Sequence, residues 1–203
     1  MKEMLAATGN WGKLLEIRNF LSEFIENIRP ASDFPGFPEV IEDGETFEQN
    51  ALKKARAGVL HTGLPALADD SGLVVDALDG RPGVLSARFA GEKGGDAANN
   101  AKLLSELASV AAERRTAAFV CAMAFVTPEG EERIFTGRIG GKILFEPIGG
   151  KGFGYDPLFL PDGFDRTMAE LEIEEKNRIS HRGEALDAFR EFLSGKESLA
   201  DEN

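Results

Sequence analysis

The chain has 203 residues, of which 42% are hydrophobic, enough for a core without disulfide or metal staples. Asp and Glu number 35 against 23 Lys and Arg, and the formal charge of −12 repels phosphate backbones and argues against a nucleic-acid scaffold. One cysteine, Cys121, excludes an internal disulfide framework and fits a reducing cytosol. No apolar run approaches the roughly 18 residues of a membrane span, and Met1-Lys2-Glu3 leads straight into a strand, so the expectation is a soluble cytoplasmic protein with no signal peptide.

In chain order, Met4–Ala7 reads as a short buried strand that ends in the turn Thr8-Gly9-Asn10. A helix follows over about Gly12–Glu26, with Leu14, Leu15, Ile17, Leu21 and Phe24 on its apolar side. Arg29–Gly44 is a loop with room for one short strand. Thr46-Phe47-Glu48-Gln49 matches a capping box, which predicts a helix over Phe47–His61. Pro65–Asp70 is a strand that Gly72 breaks, and Leu73–Val75 is another. Arg81–Gly95 is irregular, and Asp96 caps a helix running to about Leu107. Thr116–Thr127 and Glu131–Glu146 pair as a hairpin around Pro128-Glu129-Gly130. Four glycines within Pro147–Gly154 exclude a regular element. Leu158–Leu160 is a strand, Thr167–Glu170 is a second capping box, and the last helix covers Ser180–Leu193. The fold class is α/β, a mixed β-sheet with flanking helices in a single two-lobed unit with a central cleft. Residues 1–193 form one domain, and 194–203 are a polar tail.

Four places carry residues suited to chemistry. Thr8, Gly9, Asn10, Trp11, Gly12 and Lys13 lie between strand and helix, where free backbone N–H groups and a lysine suit an anion, although an ordinary strand–turn–helix reads the same way. This is not a P-loop, because Ala7 and Leu14 stand where that pattern needs Gly and Ser/Thr. Asp69 and Asp70 follow an apolar strand and point to opposite faces. One faces a ligand, and the other caps backbone or pairs with a base. A Mg²⁺ site of one or two carboxylates plus phosphate oxygens explains their cost, with Glu42 as the second carboxylate; a polar turn at a strand end is the alternative.

The third place is Gly149–Pro157, where Phe153 and the only tyrosine, Tyr155, sit among glycines. They either stack on a planar ligand or plug the core. The fourth is Glu175–Gly183, a concentration of donors including Lys176, His181 and Arg182 at a helix start, which either clamps an anion or forms a solvated face. His61 reads as a helix C-terminal cap and Cys121 as core, and neither histidine has a zinc-ligand spacing. A phosphate cradle, metal carboxylates, a stacking loop and clamping cations agree on one ligand, a nucleoside triphosphate with Mg²⁺.

These motifs resemble the non-standard purine nucleoside triphosphate pyrophosphatases, also called inosine triphosphate or dITP/XTP pyrophosphatases. The markers stand as Thr8–Lys13, Thr46-Phe47-Glu48-Gln49-Asn50-Ala51, Ala68-Asp69-Asp70-Ser71-Gly72-Leu73, Ser86-Ala87-Arg88-Phe89, Gly152-Phe153-Gly154-Tyr155-Asp156-Pro157 and Ile179-Ser180-His181-Arg182-Gly183, in order along nearly the whole chain. The resemblance implies hydrolysis of ITP, dITP and XTP to the monophosphate and pyrophosphate, with Mg²⁺, by a homodimer. It implies Asp70 as general base and metal ligand, and Glu42 as the other metal carboxylate. It implies Thr8, Gly9, Asn10, Trp11, Gly12, Lys13, Ser71, Phe153, Gly154, Tyr155, Asp156, Lys176, His181 and Arg182 as substrate-binding. Two positions depart from the pattern: Gln49 stands where many members have Glu, and Trp11 is bulky for a turn.

Selection of hypoxanthine or xanthine over adenine requires donors toward the 6-oxo group, for which His181, Arg182, Lys176 or backbone N–H groups are the candidates. A pyrophosphatase acting on other bases and a nucleotide-sensing module that binds without cleaving are the competing readings. A kinase is disfavoured by the failed P-loop pattern.

Overall fold

A computed structural model describes residues 1–195, so the part of the polar tail beyond Gly195 lies outside the described residues. Its mixed sheet has six strands in the order β2-β1-β3-β4-β5-β6. They are β1 (Glu3–Ala6), β2 (Asn27–Pro30), β3 (Ala66–Val75), β4 (Thr116–Val126), β5 (Glu132–Ile143) and β6 (Phe159–Pro161). Strand β1 pairs in parallel with β2 and with β3, Leu5 lying opposite Ala66, and β5 pairs antiparallel with β6. The helices are α1 (Trp11–Leu21), α2 (Phe47–Thr62), α3 (Gly95–Glu106), α4 (Ile173–Ile179) and α5 (His181–Leu193). This is the α/β class expected. No helix among the described residues is long and apolar enough to cross a membrane.

The described residues divide into two compact units, one of Met1–Asp70, Ala122–Thr136 and the residues from Arg182 onward, the other of Ser71–Cys121 and Gly137–His181. The first buries Leu5, Ala51, Ala55, Ala66, Ala68, Ala124 and Val126 together. In the second, Leu73, Leu103, Leu107, Phe119, Leu158, Phe159 and Met168 form a separate core. Cys121 is fully buried, as expected of a core residue.

Local chemistry explains most element ends. The Asn10 side chain accepts from Lys13 N–H and starts α1, which stops at Leu21 rather than near Glu26, and Leu15 is exposed. Thr46 caps α2 by accepting from Gln49 N–H, but the Gln49 amide oxygen takes the Glu45 N–H, one residue before the usual partner. Gly63, at φ 67°, closes α2, so His61 is not its cap and instead meets the Phe37 ring edge-on at 5.4 Å.

Three further expectations need correction, and one helix was not expected. Strand β3 runs unbroken through Gly72. There the Ser86 hydroxyl lies where a side chain would begin, and the Gly83 carbonyl would stand 2.6 Å from a Cβ. That hydroxyl accepts from Leu73 N–H at 2.9 Å and donates to Gly83 O at 2.6 Å. Glycine here permits a close approach rather than ending the strand. Asp96 does not cap α3, because its carboxylate accepts from Gly154 N–H at 2.7 Å. Thr167 and Glu170 do form half of a capping box, Thr167 N–H donating to the Glu170 carboxylate, but the Thr167 hydroxyl donates to Ile148 O and no helix follows directly. Helix α4 was not expected: between Ile173 and Ile179 its residues are all charged or polar, so no apolar stripe announces it.

Replacing Gly72 with Ala therefore forces a Cβ against backbone and should destabilise the protein by about 1–3 kcal/mol. Thermal and urea unfolding of the variant against wild type measure this.

Candidate functional site

The residues singled out by sequence fall into two groups. Thr8–Lys13, Glu42, Asp70 and Arg182 belong to the first unit; Ser71, Phe153–Asp156, Lys176 and His181 belong to the second.

In the first unit, β3 places Asp69 and Asp70 on opposite faces, both buried. Asp69 pairs with bases, as expected of one of the two. Lys13 Nζ lies 2.8 Å from its Oδ2, and Arg182 Nε and Nη2 each lie 3.3 Å from the same atom. Arg182 Nη1 also donates to Glu16 Oε2 at 2.7 Å, with both side chains buried. Burial opposes the Asp69 charge, but Lys13, Arg182 and Lys54 outweigh it and hold the carboxyl well below the usual range. The two cations expected on phosphate or base thus also bind a buried carboxylate.

Asp70 lies in different surroundings. Asn50 Nδ2 donates to its Oδ2 at 2.9 Å, and Lys54 Nζ lies 3.8 Å from its Oδ1. The same Lys54 nitrogen lies 3.1 Å from Glu42 Oε1. Burial dominates and, with help from Glu42, raises the Asp70 pKa despite Lys54, Asn50 and Lys13. Two carboxylates converging on one ammonium group form an oxygen-rich site for a cation, and the lysine shows the position a positive charge takes there. Among the described residues no three acidic, His or Cys side chains group as metal ligands. A hard divalent ion would therefore draw its other oxygens from substrate and water.

Beside these, α1 starts at Trp11 and leaves the first-turn amides of Trp11 and Gly12 without intrahelical acceptors, and the Trp11 side chain is 64% exposed. The sequence reading missed Asn50, Lys54 and Glu16. The first two are four apart on α2 and so share a face toward Asp70, a spacing visible in the sequence once α2 is placed.

In the second unit, Lys176 Nζ donates to Asp156 Oδ2 at 2.6 Å and sits 4.7 Å from the centroid of the half-exposed Phe153 ring. Asp156 Oδ2 also accepts from Phe153 N–H at 3.0 Å. Tyr155 is buried and donates its hydroxyl hydrogen to Ser86 O at 2.8 Å; burial and the Asp96 charge push its pKa far above the usual value. The buried His181 ring stacks on Phe119 with centroids 5.0 Å apart and planes 14° apart. Ser71 stands in β3 directly after Asp70.

Asp69 links this electrostatics to stability. Its carboxyl titrates well below the roughly 3.9 of an unfolded aspartate, so its ionised form stabilises the fold above that pH, and the contribution fades as pH falls toward the folded value. Asp69→Asn leaves buried cations undercompensated and should lose about 3–5 kcal/mol at pH 7. Denaturation at several pH values should show the deficit shrinking below about pH 4.

Comparison with known proteins gives the family. A family model described as the Ham1 family matches residues 4–192. A dITP/XTP pyrophosphatase of Geobacter sulfurreducens is 56% identical over 193 residues, covering 95% of this chain and 97% of that protein. The structure of a HAM1 protein from Coxiella burnetii superposes with a TM-score of 0.89 at 42% identity, covering 96% of this chain and 100% of that one. A crystal structure of a nucleoside-triphosphatase / dITP/XTP pyrophosphatase from Mycobacterium abscessus has a TM-score of 0.78 at 53% identity, with 93% and 98% covered. With nearly its full length matched in sequence and in fold, the chain belongs to the Ham1 family.

Proposed function

We propose that this protein is a nucleoside triphosphate pyrophosphatase that hydrolyses dITP, ITP and XTP to the monophosphate and pyrophosphate, removing them from the nucleotide pool. The observation that carries this is the contrast between two adjacent buried carboxylates: Asp69 is held ionised by Lys13 and Arg182, whereas burial favours the protonated form of Asp70. A carboxylate that takes up a proton readily, beside cations, suits the activation of water next to phosphates. The relatives' names support the substrate class.

In this reading Asp70 accepts a proton from the attacking water, whose oxygen bonds to the α-phosphorus as the α–β anhydride bond breaks. Asn50 fixes the Asp70 carboxylate through its Oδ2. The turn Thr8–Lys13 offers backbone N–H groups and the Lys13 ammonium to phosphates, and Ser71 adds a hydroxyl. Glu42 and Asp70 are the residues that would hold Mg²⁺, which when bound offsets charge developing on the leaving pyrophosphate. Phe153 offers a stacking face, and Gly154, Tyr155, Asp156, Lys176, His181 and Arg182 complete recognition of the nucleotide.

Residues 1–193 form one pyrophosphatase domain in this reading, acting as a homodimer in the cytoplasm. The net charge of −12 supports a protein that does not bind nucleic acid directly, and a buried single cysteine fits a reducing compartment.

Pyrophosphate release from ITP, XTP, dITP, ATP, GTP, dUTP and dCTP, with and without Mg²⁺, tests the proposal. Metal-dependent release confined to the inosine and xanthine nucleotides is expected; equal rates on ATP and GTP would refute the base preference, and no release would favour a binding module. Asp70→Asn should lower kcat by at least about 10²-fold. Because burial raises the Asp70 pKa, its charge opposes folding at neutral pH, and the same variant should melt no lower than wild type.

A further inference from the structure

The loop Gly152–Asp156 contains two residues in left-handed backbone conformation, Gly152 at φ 76° and Gly154 at φ 63°. Such a loop has no intrinsic preference for one shape and depends on outside contacts to hold it. Part of that support is internal to the loop and α4, since Asp156 receives Phe153 N–H and the Lys176 ammonium. Further support comes from α3. Asp96 Oδ2 accepts from Gly154 N–H at 2.7 Å, and Asn100 Nδ2 donates to Gly154 O at 2.9 Å. Asp96 and Asn100 are four apart and share one face of α3. Together they hold the peptide groups on both sides of Gly154, the residue between Phe153 and Tyr155.

The same helix end holds a second segment. Asn99 accepts from Ala90 N–H at 2.7 Å and donates to Ala87 O at 3.1 Å, next to Ser86, whose carbonyl receives the Tyr155 hydroxyl. Asn100 bears a cost in this arrangement. Among the described residues its Oδ1 is buried without a hydrogen-bond partner, a state that opposes stability. A leucine at 100 would avoid that cost and cover the same helix face while losing the one bond to Gly154 O, so the two effects on stability oppose each other.

We propose that Asp96 and Asn100 are positioning residues for nucleobase recognition: by gripping Gly154 from α3 they fix the angle at which Phe153 meets the base. The proposal rests on the pyrophosphatase reading above, and in particular on Phe153 as the stacking face. Neither side chain touches the reacting phosphates in this reading, so the effect is on affinity for the base rather than on the chemical step.

Steady-state kinetics with ITP on Asp96→Ala, Asp96→Asn and Asn100→Leu, together with amide hydrogen exchange at Gly154 and melting temperatures, test it. Asp96→Ala and Asn100→Leu should raise KM for ITP on the order of tenfold while kcat changes less than about threefold. Asn100→Leu should melt within about 5 °C of wild type, a combination with raised KM that a merely structural residue does not produce. Asp96→Asn keeps an oxygen that accepts from Gly154 N–H and should restore KM to within about threefold of wild type. Gly154 N–H should exchange faster in Asp96→Ala, with the amides in the middle of α3 unchanged. Unchanged KM in both Asp96→Ala and Asn100→Leu overturns the proposal, as does an Asp96→Asn variant no better than Asp96→Ala. Wild-type protein that cleaves no triphosphate overturns the pyrophosphatase reading instead, and Gly154 exchange then still reports whether Asp96 holds the loop.

Discussion

Strand β3 carries two carboxylates side by side into a buried environment, and the first unit is organised around compensating them. Because neighbouring strand residues face opposite ways, the two carboxylates have different direct partners, although Lys13 and Lys54 act on both. Lys13 from α1 and Arg182 from the start of α5 converge on Asp69, with Glu16 balancing the arginine. Asp70 receives an amide and a more distant ammonium from α2. The first carboxylate is overcompensated and the second undercompensated, so identical side chains one residue apart acquire opposite proton affinities. The geometry of a strand thus separates an anchoring charge from a reactive one.

The second unit solves a different problem. Its loop before β6 has little apolar content of its own, and its shape is held from several sides: Asp156 and Lys176 beneath Phe153, Tyr155 reaching Ser86, and α3 gripping Gly154. Ser86 is central to this arrangement, since its hydroxyl also fastens Leu73 on β3 and its bulk requires glycine at position 72. Directional polar contacts, together with the Tyr155 ring buried in the second core, define this loop.

Much of this was legible in the sequence. The β runs on either side of Pro128-Glu129-Gly130 located β4 and β5, the Thr8-Gly9-Asn10 turn and the Thr46 capping box located the starts of α1 and α2, and the paired acids with Glu42 marked the anionic site of the first unit. Helix α4 escaped because it has no apolar stripe, and the other departures share one cause, which is that a residue's local signal was redirected by a distant partner. Asp96 carries the signature of a helix cap and serves Gly154 instead. Gly72 looks like a strand breaker and instead accommodates Ser86. Lys54 looks like a solvated helix lysine until Glu42 and Asp70 are seen to converge on it. The Thr167 box is half formed because its hydroxyl turns to Ile148. Short-range rules describe what a side chain can do, and tertiary contacts select which of those options it takes.

The partners of Asp69 also bear on the order in which the chain acquires its structure. Its strongest counter-charges come from residue 13 and from residue 182, more than a hundred positions later. An emerging polypeptide that has exposed β1, α1, α2 and the first half of β3 still lacks the guanidinium that Asp69 and Glu16 require, so burying that strand early is disfavoured. Residues 71–121 and 137–181, by contrast, supply every member of the second core before Arg182 is made. During synthesis the middle of the chain is therefore able to settle first, and the N-terminal segment waits for α5 before it can close around its own charges.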